Sequence, residues 1–166
     1  MLTISLISMD AKRRFIATLE VLFGKGVSER LPLHELRFVY SKRTGKVKYV
    51  MLNDTILCTF RSDGGIALSI ELARLLIHNP RFMDSCIVVS NDVAEYVAEG
   101  RSVFCKHIKY VGSNIHVNSE VAVLDGDRNV IAVGKAVLPS SIIKCMKYGV
   151  AVKIRDGIGR YRVVNK

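Results

Sequence analysis

Chemistry requires groups that exchange protons, attack bonds or hold a metal, and these residue types are the first thing to locate in the chain. His34, His78, His107 and His116 have no partner at the H-x-x-x-H or H-x-E spacing of a metal site. Cys58, Cys86, Cys105 and Cys145 form no C-x-x-C pair and no Cys/His cluster, so the pattern predicts reduced thiols and no metal centre. Cys86 and Cys105 sit inside apolar runs and Cys145 beside a helix, where cysteine behaves as a small hydrophobe. Asp125 and Asp127 flank Gly126 without a third acid and read as turn residues. Arg61-Ser62-Asp63-Gly64-Gly65 comes nearest to an active-site loop, yet no base, nucleophile or metal set accompanies Asp63. The sequence assigns no catalytic residue and no cofactor.

The positive signal is basic and local. In Gly100-Arg101-Ser102-Val103-Phe104-Cys105-Lys106-His107 the glycine permits close approach of backbone to a ligand. Arg101, Lys106 and Lys109 suit phosphate oxygens, and Ser102 or backbone amides can donate to sugar or phosphate. Lys153, Arg155, Arg160, Arg162 and Lys166 stand against Asp156 alone. Tyr148 and Tyr161 carry rings that can stack on bases.

The 166 residues carry 25 basic and 15 acidic side chains, a net charge of +10. The excess divides evenly: 13 − 8 = +5 in residues 1–84 and 12 − 7 = +5 in residues 85–166. Hydrophobic residues make up 49% and charged residues 24%, a globular balance rather than a disordered one. No apolar run approaches a bilayer span, and Met1 to Asp10 do not read as a signal peptide. A reduced, cytoplasmic protein is expected.

The elements that must position these residues follow from patterning. Ile4 to Ile7 form a short apolar run with Ser8 as a helix cap, and residues 9–23 place Phe15, Ile16, Leu19, Leu22 and Phe23 on one helical face. Lys12, Arg13 and Arg14 form a solvated basic face near its start. Leu36 to Tyr40, Val47 to Leu52 and Ile56 to Phe60 read as strands joined at Thr44-Gly45 and Asn53-Asp54. Residues 66–78 follow a helical pattern with Leu68, Leu72, Leu75 and Leu76 inward, ended by Asn79-Pro80. The first part is therefore a small α+β unit with an antiparallel sheet. Cys86 to Val89 open a second part as a buried strand, followed by a short helix from Ser90-Asn91-Asp92 to Glu99, with Gly100 as its stop. Strands are expected at Ser102 to Cys105, His107 to Val111, Glu120 to Leu124, Val130 to Leu138 and Gly149 to Arg155. A helical turn after Pro139 carries Ile142, Ile143 and Met146. Short strands in this number predict a closed or nearly closed barrel.

The residues of the second part also carry a family resemblance. Gly100-Arg101-Ser102-Val103-Phe104, Asn118 to Asp125, Val130 to Ala136 and Gly149 to Arg155 make residues 86–157 resemble a PUA domain, a small RNA-binding pseudo-barrel. Val103-Phe104-x-Lys106 is similar to the form found at the C-terminus of archaeosine tRNA-guanine transglycosylases. Phe23-Gly24-x-Gly26, Arg43-Thr44-Gly45 and Arg61-x-Asp63-Gly64 resemble the small α+β domain that precedes PUA there. Cys105 and His107 depart mildly from that pattern.

The resemblance implies an archaeal α+β protein with a pre-PUA-like domain at 1–84 and a PUA pseudo-barrel at 85–166. Its implied partner is structured RNA, a tRNA acceptor stem and its 3′ end. The implied groove lies between the first helix of the barrel, the glycine loop and strand, and the last strand. Carried over by position, it holds Gly100, Arg101, Ser102, Val103, Lys106, Lys153 and Arg155, with Lys109 added on charge. The family's exchange chemistry needs a (β/α)₈ domain and a cysteine/histidine zinc site, and neither fits in this chain. The expectation is a non-enzymatic tRNA-binding accessory or adaptor in tRNA modification. The alternative is the RNA-gripping subunit of a split archaeosine transglycosylase, completed by a separate catalytic polypeptide.

Overall fold

The structure, a computed structural model, describes residues 2–159. Helix α1 (Leu2–Phe23) opens the chain. Ser8 lies inside it, not at its start, because residues 2–10 contain no glycine or proline to halt helix propagation. Phe15, Leu19 and Phe23 recur at four-residue spacing and are fully buried, with Ile16 and Leu22 at the margins of that face. Gly24, at φ 107°, ends the helix in a conformation that glycine adopts without strain.

Four strands follow as an antiparallel meander: β1 (Leu36–Tyr40), β2 (Val47–Leu52), β3 (Thr55–Phe60) and β4 (Ile66–Leu68). The first three fall where patterning places them. The fourth corrects the helix expected over 66–78. Leu68, Leu72 and Leu76 do fit a helical stripe, but the Arg61 amide donates to the Gly65 carbonyl at 2.9 Å and turns the chain back. Ile66 then pairs opposite Phe60 and Leu68 opposite Cys58. Helix α2 (Ile70–Leu76) starts only after Ser69, whose hydroxyl accepts from the Leu72 amide at 3.1 Å. A 3-10 segment, Pro80–Ser85, leads into the second sheet.

That sheet has six strands: β5 (Cys86–Val89), β6 (Val103–Phe104), β7 (Ile108–Val111), β8 (Glu120–Leu124), β9 (Val130–Ala136) and β10 (Val150–Gly157). They bond in the order β6-β10-β9-β8-β5-β7, and β5–β8 is the parallel pair. Strands β6 and β7 are the two edges, yet only Cys105–His107 separates them along the chain. A three-residue link forces the sheet to curl until its edges approach, which makes the nearly closed barrel. Helix α3 (Asn91–Ala98) connects β5 to β6, and α4 (Ser140–Cys145) connects β9 to β10.

Side-chain alternation explains how the two parts join. Along β8, Val121 and Val123 point into the barrel core with Ile87, Val103, Ile131 and Val152. Ala122 and Leu124 point the other way, into a core shared with Phe15, Leu19, Phe23, Leu72 and Phe82. Strand β8 is consequently buried on both faces, as a central strand between two cores must be.

Candidate nucleic-acid interface

The Gly100 loop is built by the end of α3. Gly100, at φ 99°, donates to the Val97 carbonyl at 2.9 Å, and the Arg101 amide reaches the Tyr96 carbonyl at 3.1 Å. This closes the helix and throws Arg101 outward, where its guanidinium lies 5.4 Å from the centre of the Tyr96 ring. Behind the loop, Gly157 of β10 sits where a Cβ would stand 2.1 Å from the Ala98 carbonyl oxygen. Glycine there lets the end of β10 pack directly on the end of α3.

Strand register then sets which side chains share a face. Val103 pairs with Val152 and Phe104 with Val150. Val103 is 1% exposed, so its side chain belongs to the barrel core and its part in the strip is to anchor β6. Phe104 alternates outward and is 44% exposed. The Cys105 amide donates to the Gly149 carbonyl at 3.0 Å, tying Lys106 to the start of β10 beside Tyr148, which is 79% exposed. The Ser90 amide at the start of α3 donates to the His107 carbonyl at 2.9 Å, so the chain from Gly100 to His107 returns from the end of that eight-residue helix to its beginning, a span of about 12 Å. Arg101 marks one end of the strip, Lys106 and Tyr148 the other, and Phe104 lies between. An exposed ring flanked by cations combines the features that grip single-stranded nucleic acid, stacking and phosphate attraction.

Lys153 extends this surface onto β10. It pairs with Lys135 of β9, both facing outward, and the two line a cleft of about 450 Å³ with Asn118, Ile154 and Arg155. Lys109, three residues beyond Lys106, is exposed. It lies on β7 beside Asp92 at the start of α3, whose carboxyl is held below the usual range chiefly by the Ser90 hydroxyl, then by its own backbone amide, His107 and Lys109. Arg160, Tyr161, Arg162 and Lys166 lie outside the described residues.

Arg155 has a different employment. Its Nη1 donates to Glu120 Oε1 at 2.9 Å, and its Nη2 donates to Glu120 Oε2 at 2.6 Å and to the Leu68 carbonyl. Glu120, whose side chain is 5% exposed, also accepts from the Leu68 amide at 2.9 Å and from Arg61 at 3.5 Å. One carboxylate from β8 therefore collects two guanidiniums and a β4 amide, and it fastens the first sheet to the barrel. Register accounts for this: Glu120 shares a face with Ala122 and Leu124, so it points at the neighbouring sheet. Sequence reading missed Glu120 because its partners lie 35 to 59 positions away.

The Asp63 loop is committed to structure as well. Its carboxylate accepts from the Gly65 amide at 3.0 Å and from Arg61, and these bonds hold it below the ordinary carboxylate range. Burial pushes the Cys58 thiol up to about 12 and raises Cys86 further, so neither supplies a thiolate near neutrality. Among the described residues no group of three or more His, Cys, Asp or Glu side chains could hold a metal ion, and no helix is long and apolar enough to cross a membrane.

A curled six-stranded barrel with this helix–glycine–strand strip is the architecture of a PUA domain, and the PUA family model matches residues 86–158. The upstream sheet matches the patch-forming domain C2 of tRNA-guanine transglycosylase over residues 14–80. With these two domains the chain is homologous to the C-terminal region of archaeal tRNA-guanine(15) transglycosylase. The enzyme of Methanothermobacter thermautotrophicus is 33% identical over 136 residues, covering 81% of this chain and 21% of the relative. That of Methanobrevibacter smithii is 29% identical over 150 residues, covering 90% and 23%. The chain thus spans between a fifth and a quarter of the length of these relatives. Among solved structures, a hypothetical protein from Pyrococcus horikoshii superposes with TM-score 0.70 at 19% identity, over 93% of each chain. A PUA domain from Aeropyrum pernix gives 0.56 at 19% identity, over 81% of each. These likenesses establish the α+β fold with its pseudo-barrel.

Proposed function

We propose that this protein is a tRNA-binding module without a catalytic site of its own, acting as an accessory or adaptor in tRNA modification. The reading divides the chain into a C2-like part at 1–84 and a PUA part at 85–166. The observation that carries it is the strip from Arg101 through Phe104 to Lys106, bordered by Tyr148 and Lys153. Gly100 and Ser102 offer backbone and hydroxyl contacts along it, while Val103 and Arg155 hold its supporting strands in place. Exposed cations meet phosphates, and the two rings accept unpaired bases of the 3′ end. Relatives that act on tRNA supply the RNA class, and the acceptor stem is the part such a strip reaches beside a free end. The preference should show directly in titration. Folded tRNA is expected to bind more tightly than double-stranded DNA of equal length at about 0.1 M salt, with affinity falling steeply as salt rises. Equal affinity and equal salt slopes for the two would contradict the reading.

A second reading is favoured by one observation: the homology falls on about a fifth of a catalytic relative. On this reading the chain is the RNA-gripping subunit of a split archaeosine transglycosylase, and a separate polypeptide supplies guanine exchange. Guanine exchange on tRNA that appears only when the two polypeptides are mixed would support it, and exchange by the catalytic polypeptide at the same rate alone would refute it.

A further inference from the structure

The hairpin joining β1 to β2 carries a charge that the barrel strip does not use. Residues 37–48 contain Arg37, Lys42, Arg43, Lys46 and Lys48 and no acidic residue. The loop is ordered: the Ser41 amide donates to the Lys46 carbonyl and the Gly45 amide to the Ser41 carbonyl, each at 2.9 Å. Gly45 takes the φ of 64° that closes the turn. Lys42, Arg43 and Lys46 are exposed, and none of them has a carboxylate partner among the described residues. Arg37 has only a distant one, Asp54 at 3.8 Å. Three exposed cations within five residues repel one another, an arrangement that an anionic partner relieves.

We propose that this hairpin is a second docking element for the RNA, taking the phosphate backbone of a double-helical region. The inference rests on the tRNA-binding reading above and extends it to a second place on the same ligand. Strand order separates the two places. β1 and β4 are the opposite edges of the first sheet, and β4 meets the barrel through Leu68 and Glu120. Three strand spacings, roughly 14 Å, therefore lie between β1 and the joint. A ligand touching hairpin and strip must extend across the joint, as a double-helical stem does. The Glu120 clamp fixes the spacing between the two contacts. A lipid surface fits less well, because the loop Ser41 to Lys46 offers no apolar side chain for insertion.

The test compares K42A/R43A/K46A, R101A/K106A and the control K12A/R13A with wild type. Each is titrated with a tRNA transcript over a salt series and with anionic phosphatidylserine vesicles. The hairpin variant keeps Thr44 and Gly45 and so keeps its turn, which its melting temperature verifies. It is expected to lose about tenfold or more in tRNA affinity near 0.1 M salt, with the log–log salt slope falling by about 3. K42R/K46R is expected to bind like wild type. Wild-type affinity and slope in the hairpin variant, beside a weakened R101A/K106A, would overturn this inference and leave the tRNA-binding reading standing. An equal loss per charge in K12A/R13A, or loss of vesicle binding alone, would also overturn it. Failure of the wild type to bind tRNA would remove both.

Discussion

Replacing Arg101 and Lys106 together by alanine is expected to weaken tRNA binding by about 10- to 100-fold near 0.1 M salt while leaving the protein folded. The magnitude follows from counterion release, since each lost phosphate contact removes about one unit of salt slope. Both side chains are exposed, so neither supports the core. Arg101 gives up its stack on Tyr96, worth about 0.5–1 kcal/mol at an exposed site. For a chain of this size that lowers the melting temperature by only a few degrees, about 2–4 °C per kcal/mol. The measurement is an anisotropy titration of labelled tRNA paired with a thermal melt. Lost affinity with a melt lowered by no more than those few degrees locates the grip at the strip. Unchanged affinity would move it elsewhere.

The second large effect is structural. Glu120→Ala should destabilise the protein by about 3 kcal/mol, the cost of leaving buried charges and donors without their partner. Arg155 then loses its two bonds to Glu120, Arg61 loses one, and the Leu68 amide loses its acceptor. The melt should fall by roughly 6–12 °C. Glu120→Gln retains an acceptor oxygen but no charge and should lie between the two. A melt of Glu120→Ala within a degree of wild type would show that apolar packing of Ala122 and Leu124 alone holds the sheets together.

The contrast between these two sites shows what a single sequence discloses. Nine of the ten strands announce themselves by short apolar runs between turn residues, and the glycine after α3 marks its own stop. Strand β4 does not, because Leu68, Leu72 and Leu76 keep helical spacing across the strand–helix boundary. What decides that boundary is the pairing of Ile66 with Phe60 and the cap at Ser69. The strip is legible because Gly100, Arg101 and Lys106 are close in sequence. Arg155 is not, since its charge reads as a ligand contact until Glu120, 35 positions away, is placed beside it. Phe104 carries a double signal: alternation with buried Val103 and Cys105 predicts that it faces out, and its ring explains why it does so next to cations.

The central claim, that tRNA is held along the α3–β6 strip and the outer face of β10, is tested most directly by mapping amide chemical shifts during titration of the isotope-labelled protein with tRNA. The predicted result is that Gly100, Arg101, Ser102, Phe104, Lys106, Tyr148 and Lys153 shift or broaden first, and that the α1 residues Lys12 and Arg13 stay in place. Perturbations concentrated on α1, with the strip silent, would contradict it.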